Sequence, residues 1–332
     1  MDTYQLSADQ LAGQRLMVGF DGYELDSQLK FYIDTLKVGG IILFSRNILS
    51  AQQLKGLCTS VQDYALSCGQ PPLFIGIDQE GGVVARLKLP FTQFLGNPTM
   101  RDISDAIKFA QITSLELSGV GINMNMAPVM DVAPEGFDSI MSDRVFGSDP
   151  AWVSTMGGTV IEHLQKGGVM AVAKHFPGIG RTTLDSHLDL PISDTSLKDL
   201  ENFDILPFIT AIKKKVCGIM LSHIRYEKID NTWPASLSSI IAEDMLRSGL
   251  GFKGIVITDD LDMGAIERHY DLEISIDRIF EANIDIALIC HPSPKIPKAF
   301  LVLKSKLKSN KHSEKKFLDS IQRILEAKKQ WL

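Results

Sequence analysis

The sequence lacks the features that mark secreted, membrane-bound or nucleic-acid-binding chains. It starts Met1-Asp2-Thr3-Tyr4-Gln5, without the basic and apolar stretches of a secretory signal, and no segment reaches the 18 or more uninterrupted apolar residues of a membrane span. We therefore expect a cytoplasmic protein with no membrane partner. The formal net charge of -6 provides no broad basic surface for phosphates, which argues against nucleic acid as a partner.

Cysteine is scarce as well, with four residues scattered along 332. Cys217 and Cys290 lie inside apolar runs, where a free cysteine behaves as a small hydrophobic residue, so neither a disulfide framework nor a zinc ribbon is indicated. The chain also has no His-Glu-x-x-His helix, and its first apolar run contains no histidine. We predict that the protein uses no metal and no cofactor.

What the sequence does contain is a repeated alternation of short apolar runs and longer helical patterns. Runs that are apolar almost throughout suit parallel strands buried on both faces, whereas a half-exposed sheet would alternate apolar and polar residues. The eight candidate strands are 16–20, 40–44, 73–78, 122–130, 169–176, 218–224, 254–259 and 284–290.

The segments between these runs carry helical spacing, and several end on glycine shortly before the next strand. Eight such units without an obvious linker favour a closed barrel over an open doubly wound sheet, whose Gly-x-Gly-x-x-Gly turn is missing after the first strand. The predicted fold class is therefore α/β, a TIM-type (β/α)8 barrel that occupies residues 1–332 as a single domain. A final amphipathic helix at about 314–331 is expected to pack outside it.

Unusual polar residues follow five successive candidate strands at the same end. An aspartate there often caps the next helix and a lone histidine is often structural, but their joint occurrence is harder to explain by capping. Active sites of β/α barrels assemble at the carboxyl ends of the strands, so these residues predict a site. The clusters lie at 78–82, 128–131, 174–178, 222–223 and 258–260.

The longest of these loops runs from the fifth strand and contains Asp185-Ser186-His187. An aspartate that hydrogen-bonds a histidine fixes its tautomer and stabilises the imidazolium, which makes the ring usable as a general acid and base. Because Pro177, Gly178 and Gly180 interrupt the same loop, we expect it to form a mobile lid.

With these motifs the chain resembles glycoside hydrolase family 3, in particular the single-domain β-N-acetylglucosaminidases (β-hexosaminidases). The matching segments follow one another in the order of the barrel. They are Gly39-Gly40-Ile41-Ile42-Leu43-Phe44, Asp78-Gln79-Glu80-Gly81-Gly82 with Arg86, Asp143-Arg144-Val145-Phe146, Lys174-His175-Phe176-Pro177-Gly178, Asp185-Ser186-His187 and Gly254-Ile255-Val256-Ile257-Thr258-Asp259-Asp260-Leu261.

The resemblance implies a role for each matching polar residue. Asp259 would attack the anomeric carbon, and His187, supported by Asp185, would protonate the leaving oxygen. Carboxylates and cationic fork donors suit a neutral polyol through directional hydrogen bonds. The residues implied in binding the sugar are Asp78, Arg86, Arg144, Lys174 and His175.

The implied reaction is a retaining, exo-acting double displacement that releases terminal β-linked N-acetylglucosamine through a covalent glycosyl-Asp259 intermediate. A cytoplasmic member would be expected to act on muropeptide fragments during peptidoglycan recycling, with a monomer as the family-based default. A neutral histidine base would not repel phosphate, so phosphorolysis by an N-acetylglucosaminide phosphorylase stays open, as does another family 3 β-glycosidase.

The loop tip departs from the family pattern. Members of the group commonly have histidine at the position of Ile179 and often an acidic or small residue at that of Arg181, which puts the aglycone preference in question. Arg181 could contact an anionic acceptor or be a simple surface residue. The altered tip also motivates a catalytically weakened sugar-binding protein as an alternative of another class. A metal-dependent barrel hydrolase is a further alternative, with ligands drawn from His175, His187, His223, Asp185 and Asp259.

Overall fold

The protein is described by a computed structural model over residues 6–307 and 311–332. Eight parallel strands form a closed barrel in which the first strand pairs with both the second and the last, and this confirms the predicted (β/α)8 fold. The strands are β1 Leu16–Val18, β2 Gly40–Leu43, β3 Phe74–Ile77, β4 Met124–Asn125, β5 Met170–Phe176, β6 Gly218–Leu221, β7 Ile255–Asp260 and β8 Ile286–Ile289.

The strands form where the sequence is apolar because each is covered on both sides by the barrel interior and the surrounding helices. The fourth strand is much shorter than predicted. Its ladder ends after Asn125, and pairing with β5 resumes only as the isolated bridge of Val129 with Lys174. Pro128 has no backbone N–H to donate, which explains why a regular strand does not run through 122–130.

Helices follow most strands and begin where the sequence provides caps, as at Ser50, Asp102 and Asp149, whose side chains accept backbone N–H groups. The α-helices are Ala8–Gly13, Ser27–Lys30, Ala51–Ser67, Ile103–Gly119, Pro150–Lys166, Leu197–Asp199, Leu206–Lys213, Gly264–Glu267, Leu272–Glu281, Lys295–Lys306 and Lys311–Trp331. Wider π-helical turns occupy Phe31–Thr35, Leu200–Asp204 and Ile240–Gly249, and 3-10 turns occupy Ser45–Asn47, Asn97–Thr99 and Ala235–Leu237.

Two small sheets outside the barrel were not predicted. Gln79–Gly81 pairs antiparallel with Val84–Ala85 directly after β3, and Ile192–Ser193 pairs parallel with Arg225–Tyr226. None of the helices in the described ranges is both long and apolar enough to cross a membrane. The assignment of residues 1–332 to one domain stays a prediction. The last helix, Lys311–Trp331, includes the segment 314–331 for which a helix was expected.

The strand register is irregular at two places that matter for the site. In the pairing of β5 with β6 it shifts between Ala173 and Phe176, and in the pairing of β7 with β8 it shifts between Ile257 and Asp260. A bulge of this kind re-aims the side chains beside it. The shifts therefore fall on Lys174-His175 and on Thr258-Asp259, at the carboxyl ends of their strands.

The amino ends of the strands are closed by a buried charge network. Asp285, which precedes β8 and is fully buried, accepts hydrogen bonds from Arg247 at 2.6 Å, Arg323 at 2.9 Å, Ser320 at 2.8 Å and the Val256 backbone at 2.8 Å. Because Ser320 and Arg323 belong to Lys311–Trp331, this carboxylate ties the last helix to the barrel.

Candidate active site

A pocket of about 220 Å³ lies at the carboxyl ends of the strands, where the sequence predicts a site. It brings together all eight predicted residues, which arrive from β5, β7 and the loops that follow β3, β4 and β5. They are Asp78, Arg86, Arg144, Lys174, His175, Asp185, His187 and Asp259. The volume lies below the roughly 300–1,000 Å³ of pockets for drug-sized ligands, so the pocket suits one small ring.

One side of the pocket is a network of two carboxylates and three cations. The Lys174 ammonium is almost fully buried and lies 2.7 Å from Asp78 and 2.6 Å from Glu80. Arg144 holds Glu80 with two bonds, of 2.8 and 3.0 Å, and Arg86 reaches Asp78 at 3.3 Å. Because each charge has an opposite partner, the network is fixed in place before any ligand binds.

The network keeps its carboxylates ionised. Burial on its own raises the pKa of Asp78, but the charges of Lys174 and Arg86 outweigh it and hold the pKa at about 2. The same two influences act on Lys174, whose pKa burial lowers but Asp78 and Glu80 raise to a value above its usual one. Asp78 therefore presents an acceptor, and the arginines present donors, to a ligand with hydroxyl groups.

A buried aspartate orients His175. The Asp131 carboxylate is fully buried, lies 2.7 Å from Nδ1 of His175, and accepts the backbone N–H of Ile179 at 2.8 Å. Since a carboxylate accepts hydrogen bonds, Nδ1 of His175 carries the proton, and its Nε2 is left for other partners. Asp131 thus links the end of β5 to the loop that follows it.

Asp259 lies at the register shift of β7 and lines the pocket. Burial raises the pKa of this carboxyl, whereas the imidazoles of His223 and His175 lower it, with a net value below the usual range. The backbone N–H of Asp260 donates to Asp259 Oδ1 at 2.8 Å and favours the charged form further. Asp259 is therefore an ionised carboxylate in a confined pocket, as a nucleophile requires.

The second predicted catalytic group stands at the pocket mouth. His187 Nδ1 lies 2.8 Å from Asp185 Oδ1, which also accepts the His187 backbone N–H at 2.9 Å. The two side chains are 67% and 48% exposed, so water and a leaving group can reach the free Nε2. Burial raises the pKa of Asp185, but the two His187 hydrogen bonds lower it below its usual value, so the carboxylate is ionised and fixes the proton on Nδ1.

The first half of the long loop is anchored, in contrast to the lid expected for all of it. Tyr226 donates to the Gly178 carbonyl at 2.8 Å, and a side chain at Gly180 would lie 1.9 Å from the Val132 carbonyl. Arg181 pairs with the buried Asp204 at 3.0 Å and lies over the Phe203 ring. Arg181 therefore anchors the loop and is not a simple surface residue, whereas its contact with an anionic acceptor stays a prediction.

Several pocket residues were not predicted as members of the site. Glu80 and Asp131 stand in the polar clusters after β3 and β4, so their positions carried a signal, but their partners become visible only in the folded chain. Asp260 and His291 line the pocket, whereas Glu80 and Asp131 bond to residues that line it. His291 directly follows Cys290, at the end of an apolar run where no cluster of polar residues draws attention to it.

The ligands suggested for a metal-dependent hydrolase do not form a group. Within the described ranges, the one set of three metal-ligating side chains with ligand atoms within 4.8 Å is Asp260, Asp262 and His291, and it includes none of those five residues. The carboxylate of Asp262 is already engaged, by Lys295 at 2.8 Å and by the His291 backbone N–H at 3.0 Å.

A parallel barrel whose pocket holds ionised carboxylates, histidines and a cationic cluster has the groups that a barrel glycoside hydrolase uses. The profile described as "Glycosyl hydrolase family 3 N terminal domain" matches residues 7–327. The chain belongs to glycosyl hydrolase family 3, as the sequence segments indicate.

Curated relatives and solved structures carry names from the same branch. "Beta-hexosaminidase A" of Pseudoalteromonas piscicida is 35% identical over 86% of this chain and 54% of its own length. "Beta-hexosaminidase" of Hydrogenovibrio crunogenus is 32% identical over 85% of this chain and 82% of its own. The family 3 β-N-acetylglucosaminidase structure from Paenibacillus sp. str. FPU-7 is 34% identical with a TM-score of 0.94, over 98% of this chain and 62% of that one. The chain therefore spans little more than half of the first and third of these proteins.

Proposed function

We propose that this protein is a retaining, exo-acting β-N-acetylglucosaminidase that releases terminal β-linked N-acetylglucosamine. The observation that carries the proposal is the ionised Asp259 in the same pocket as the Asp185-His187 pair. A nucleophilic carboxylate and a separate proton donor at the mouth are the two groups that a double displacement needs. The names of the relatives supply the choice of N-acetylglucosamine.

The reaction proceeds in two steps. First, an oxygen of Asp259 bonds to the anomeric carbon while the bond to the leaving oxygen breaks, and Nε2 of His187 gives its proton to that oxygen. Second, neutral His187 accepts a proton from water, whose oxygen attacks the same carbon and frees Asp259. Two inversions retain the β configuration. The Asp185 carboxylate stabilises the imidazolium that is present before the first step and after the second.

The pocket suits one terminal sugar. The hydroxyl groups of the ring are assigned to Asp78, Arg86, Arg144 and Lys174, and His175 completes the set of binding residues. The small volume favours release of one residue from a chain end over cleavage inside a chain. We extend the proposal to muropeptide fragments as the source of the sugar, to the cytoplasm as the location and to a monomer, all from the family resemblance.

A fluorinated N-acetylglucosaminyl donor, which forms the glycosyl-enzyme but slows its hydrolysis, tests the nucleophile. We expect a mass increase of one sugar on the intact protein and a labelled peptide that maps to Asp259. Because Asp260 is adjacent, Asp260→Asn serves as the matched control and should still be labelled, whereas Asp259→Asn should not. Label on another residue would overturn the assignment. Sugar binding without label or turnover would instead support the weakened sugar-binding alternative.

A His187→Ala variant tests the proton donor. We expect a large loss of kcat/KM on substrates with poor leaving groups and a small loss in the first step on activated aryl substrates, because only the former need protonation. Equal losses would argue against this role. The same assay in phosphate buffer distinguishes the acceptors, since a phosphorylase would release the sugar 1-phosphate in place of free sugar.

A further inference from the structure

The loop that bears His187 ends in a compact unit, residues 185–189, which we call the acid/base turn. The Asp185 carbonyl accepts backbone N–H groups from Leu188 at 2.9 Å and Asp189 at 3.2 Å, and the Asp185 carboxylate binds both the backbone and the ring of His187. These hydrogen bonds connect the residues of the turn to one another. A contact that fixes any part of the turn therefore also fixes the His187 ring.

The acid/base turn rests on the segment that directly follows the Asp259 strand. The backbone N–H groups of Gly264 and Ala265 donate to the carbonyls of His187 at 3.2 Å and Ser186 at 3.0 Å. A side chain at position 264 would have its Cβ only 2.7 Å from the carbonyl oxygens of His187 and Leu188. Glycine is thus required for this close approach, which couples the two proposed catalytic groups through one short stretch of backbone.

A side-chain pair fastens the far end of the turn. Nε2 of His269, two residues beyond the helix Gly264–Glu267, lies 2.5 Å from Asp189 Oδ1. The hydrogen bond from His269 lowers the pKa of Asp189, with further help from the Leu190 backbone N–H and from Arg268, so Asp189 is an ionised acceptor. This is the one side-chain ion pair found between the turn and that segment in the described ranges.

The backbone hydrogen bonds from Gly264 and Ala265 fix the middle of the turn, and the His269 contact adds a side-chain restraint at its end. The start of the loop is fixed by Tyr226 and by the Arg181–Asp204 pair, but His187 itself is 67% exposed, and packing alone does not restrain an exposed side chain. An acid that drifts by 1 Å from its productive position loses much of its effect.

We propose that His269 is a positioning residue, which acts through Asp189 to hold the acid/base turn, and with it His187, against the strand that carries Asp259. The proposal rests on the proposed function, since it concerns the residue assigned there as proton donor. His269 makes no contact with the substrate in this role.

The test compares His269→Ala with His269→Gln on aryl N-acetylglucosaminides of poor and good leaving ability. We expect His269→Ala to lower kcat/KM about fivefold for the poor leaving group and by less than about twofold for the good one, with KM little changed. His269→Gln retains an N–H donor and should recover most of the loss. A purely structural role would lower both rates alike, and that result, or the absence of any loss, would overturn the proposal.

A matched control removes a similarly exposed ion pair that includes no residue of the turn. Lys298 and Glu273 pair at 2.6 Å with side chains 54% and 49% exposed, against 40% and 52% for His269 and Asp189. Glu273→Gln should leave both rates unchanged, and a leaving-group-dependent loss in this variant would count against a specific role for His269.

Two further variants separate the inference from the proposed function. His187→Ala, measured in parallel, must show the leaving-group dependence; if it shows equal losses, the proton-donor role and the His269 proposal both fail. If His187→Ala shows the dependence and His269→Ala does not, only the His269 proposal fails. Gly264→Ala, which pushes the turn away from its support, should exceed the effect of His269→Ala on the poor leaving group, and equal losses on both substrates would contradict positioning.

Discussion

Both ends of the barrel contain buried carboxylates surrounded by lysine or arginine, yet the two clusters differ in how much hydrogen-bonding capacity remains for a ligand. At the amino end, Asp285 is fully buried and saturated by Arg247, Arg323, Ser320 and a backbone N–H. At the carboxyl end, Asp78 and Arg86 keep 16% and 28% of their side chains exposed towards the pocket. The amino-end cluster can only stabilise the fold, whereas the carboxyl-end cluster has hydrogen-bonding capacity left for a ligand.

The surroundings of the arginines show the same difference. Arg15 lies behind Asp285, between the rings of Phe280 and Phe317, and burial lowers its pKa to about 10. Arg86 instead lines the pocket from a loop. A buried ion pair is weak support for stability but is costly to break, so matched substitutions at the two ends should separate stability from activity.

The largest effect is expected from Asp285→Asn at the amino end. The substitution leaves the buried Arg15 and Arg247 and the partly buried Arg323 without a carboxylate, and breaking such a cluster costs about 3–5 kcal/mol. Urea unfolding should show this loss, with a fall of the melting temperature of about 5 °C. At a temperature where the variant is folded, kcat/KM should equal that of the wild type. Lost activity in the folded variant would contradict a purely structural role.

The same substitution at the carboxyl end, Asp78→Asn, should do the reverse. Lys174 keeps its bond to Glu80 and Arg86 is partly solvated, so we expect a smaller loss of stability than at the amino end, about 2 kcal/mol at pH 7. The loss of charged hydrogen bonds to the sugar should lower kcat/KM roughly 100-fold. A variant that loses stability and keeps activity would assign this cluster to the fold, like the one at the other end.

The smallest of the three effects is the stability that the protein loses by ionising the buried carboxyl of Asp260 at the carboxyl end, and Asp260→Asn tests it. Burial raises the pKa of Asp260 to about 6, so the folded protein binds a proton that the unfolded chain has lost. The stability associated with this group is present below pH 4 and is lost as the pH rises through 6. The asparagine can still accept from Asp262 and Cys290, so the variant should be more stable at pH 7 by about 2 kcal/mol.

Unfolding of the Asp260 variant at a series of pH values provides the check. The wild type should lose stability relative to the variant between pH 4 and 6, and equal pH profiles of the two proteins would show that this carboxyl does not titrate as argued.

The alternation of apolar runs and helices was sufficient to predict the barrel, because parallel strands buried on both faces leave a pattern that needs no partner to be recognised. It was not sufficient for the length of β4, where Pro128 interrupts the ladder within an apolar run. The polar residues at the strand ends predicted the position of the pocket, because they too can be recognised along the chain without knowledge of their partners. The catalytic and binding roles of its eight residues stay predictions until the variants are measured.

Pairings between distant parts of the chain could not be predicted in this way. Arg181 and Asp204 are 23 residues apart, His269 and Asp189 are 80 apart, and neither pair follows a motif or a period. Asp131 was noticed as a strand-end residue, but its role beside His175 depends on the register of two neighbouring strands. Contacts of this kind depend on where the loops lie, which side-chain periodicity does not encode.

The sequence by itself determined the fold class and the end of the barrel that carries the site, because burial and spacing act locally along the chain, and the resemblance of its segments indicated the family. Only the tertiary structure decided which charges neutralise one another, which half of the long loop is anchored and which segment supports His187. These outcomes depend on distances of a few ångströms between residues far apart in the chain, and electrostatic and hydrogen-bonding energies change steeply over such distances.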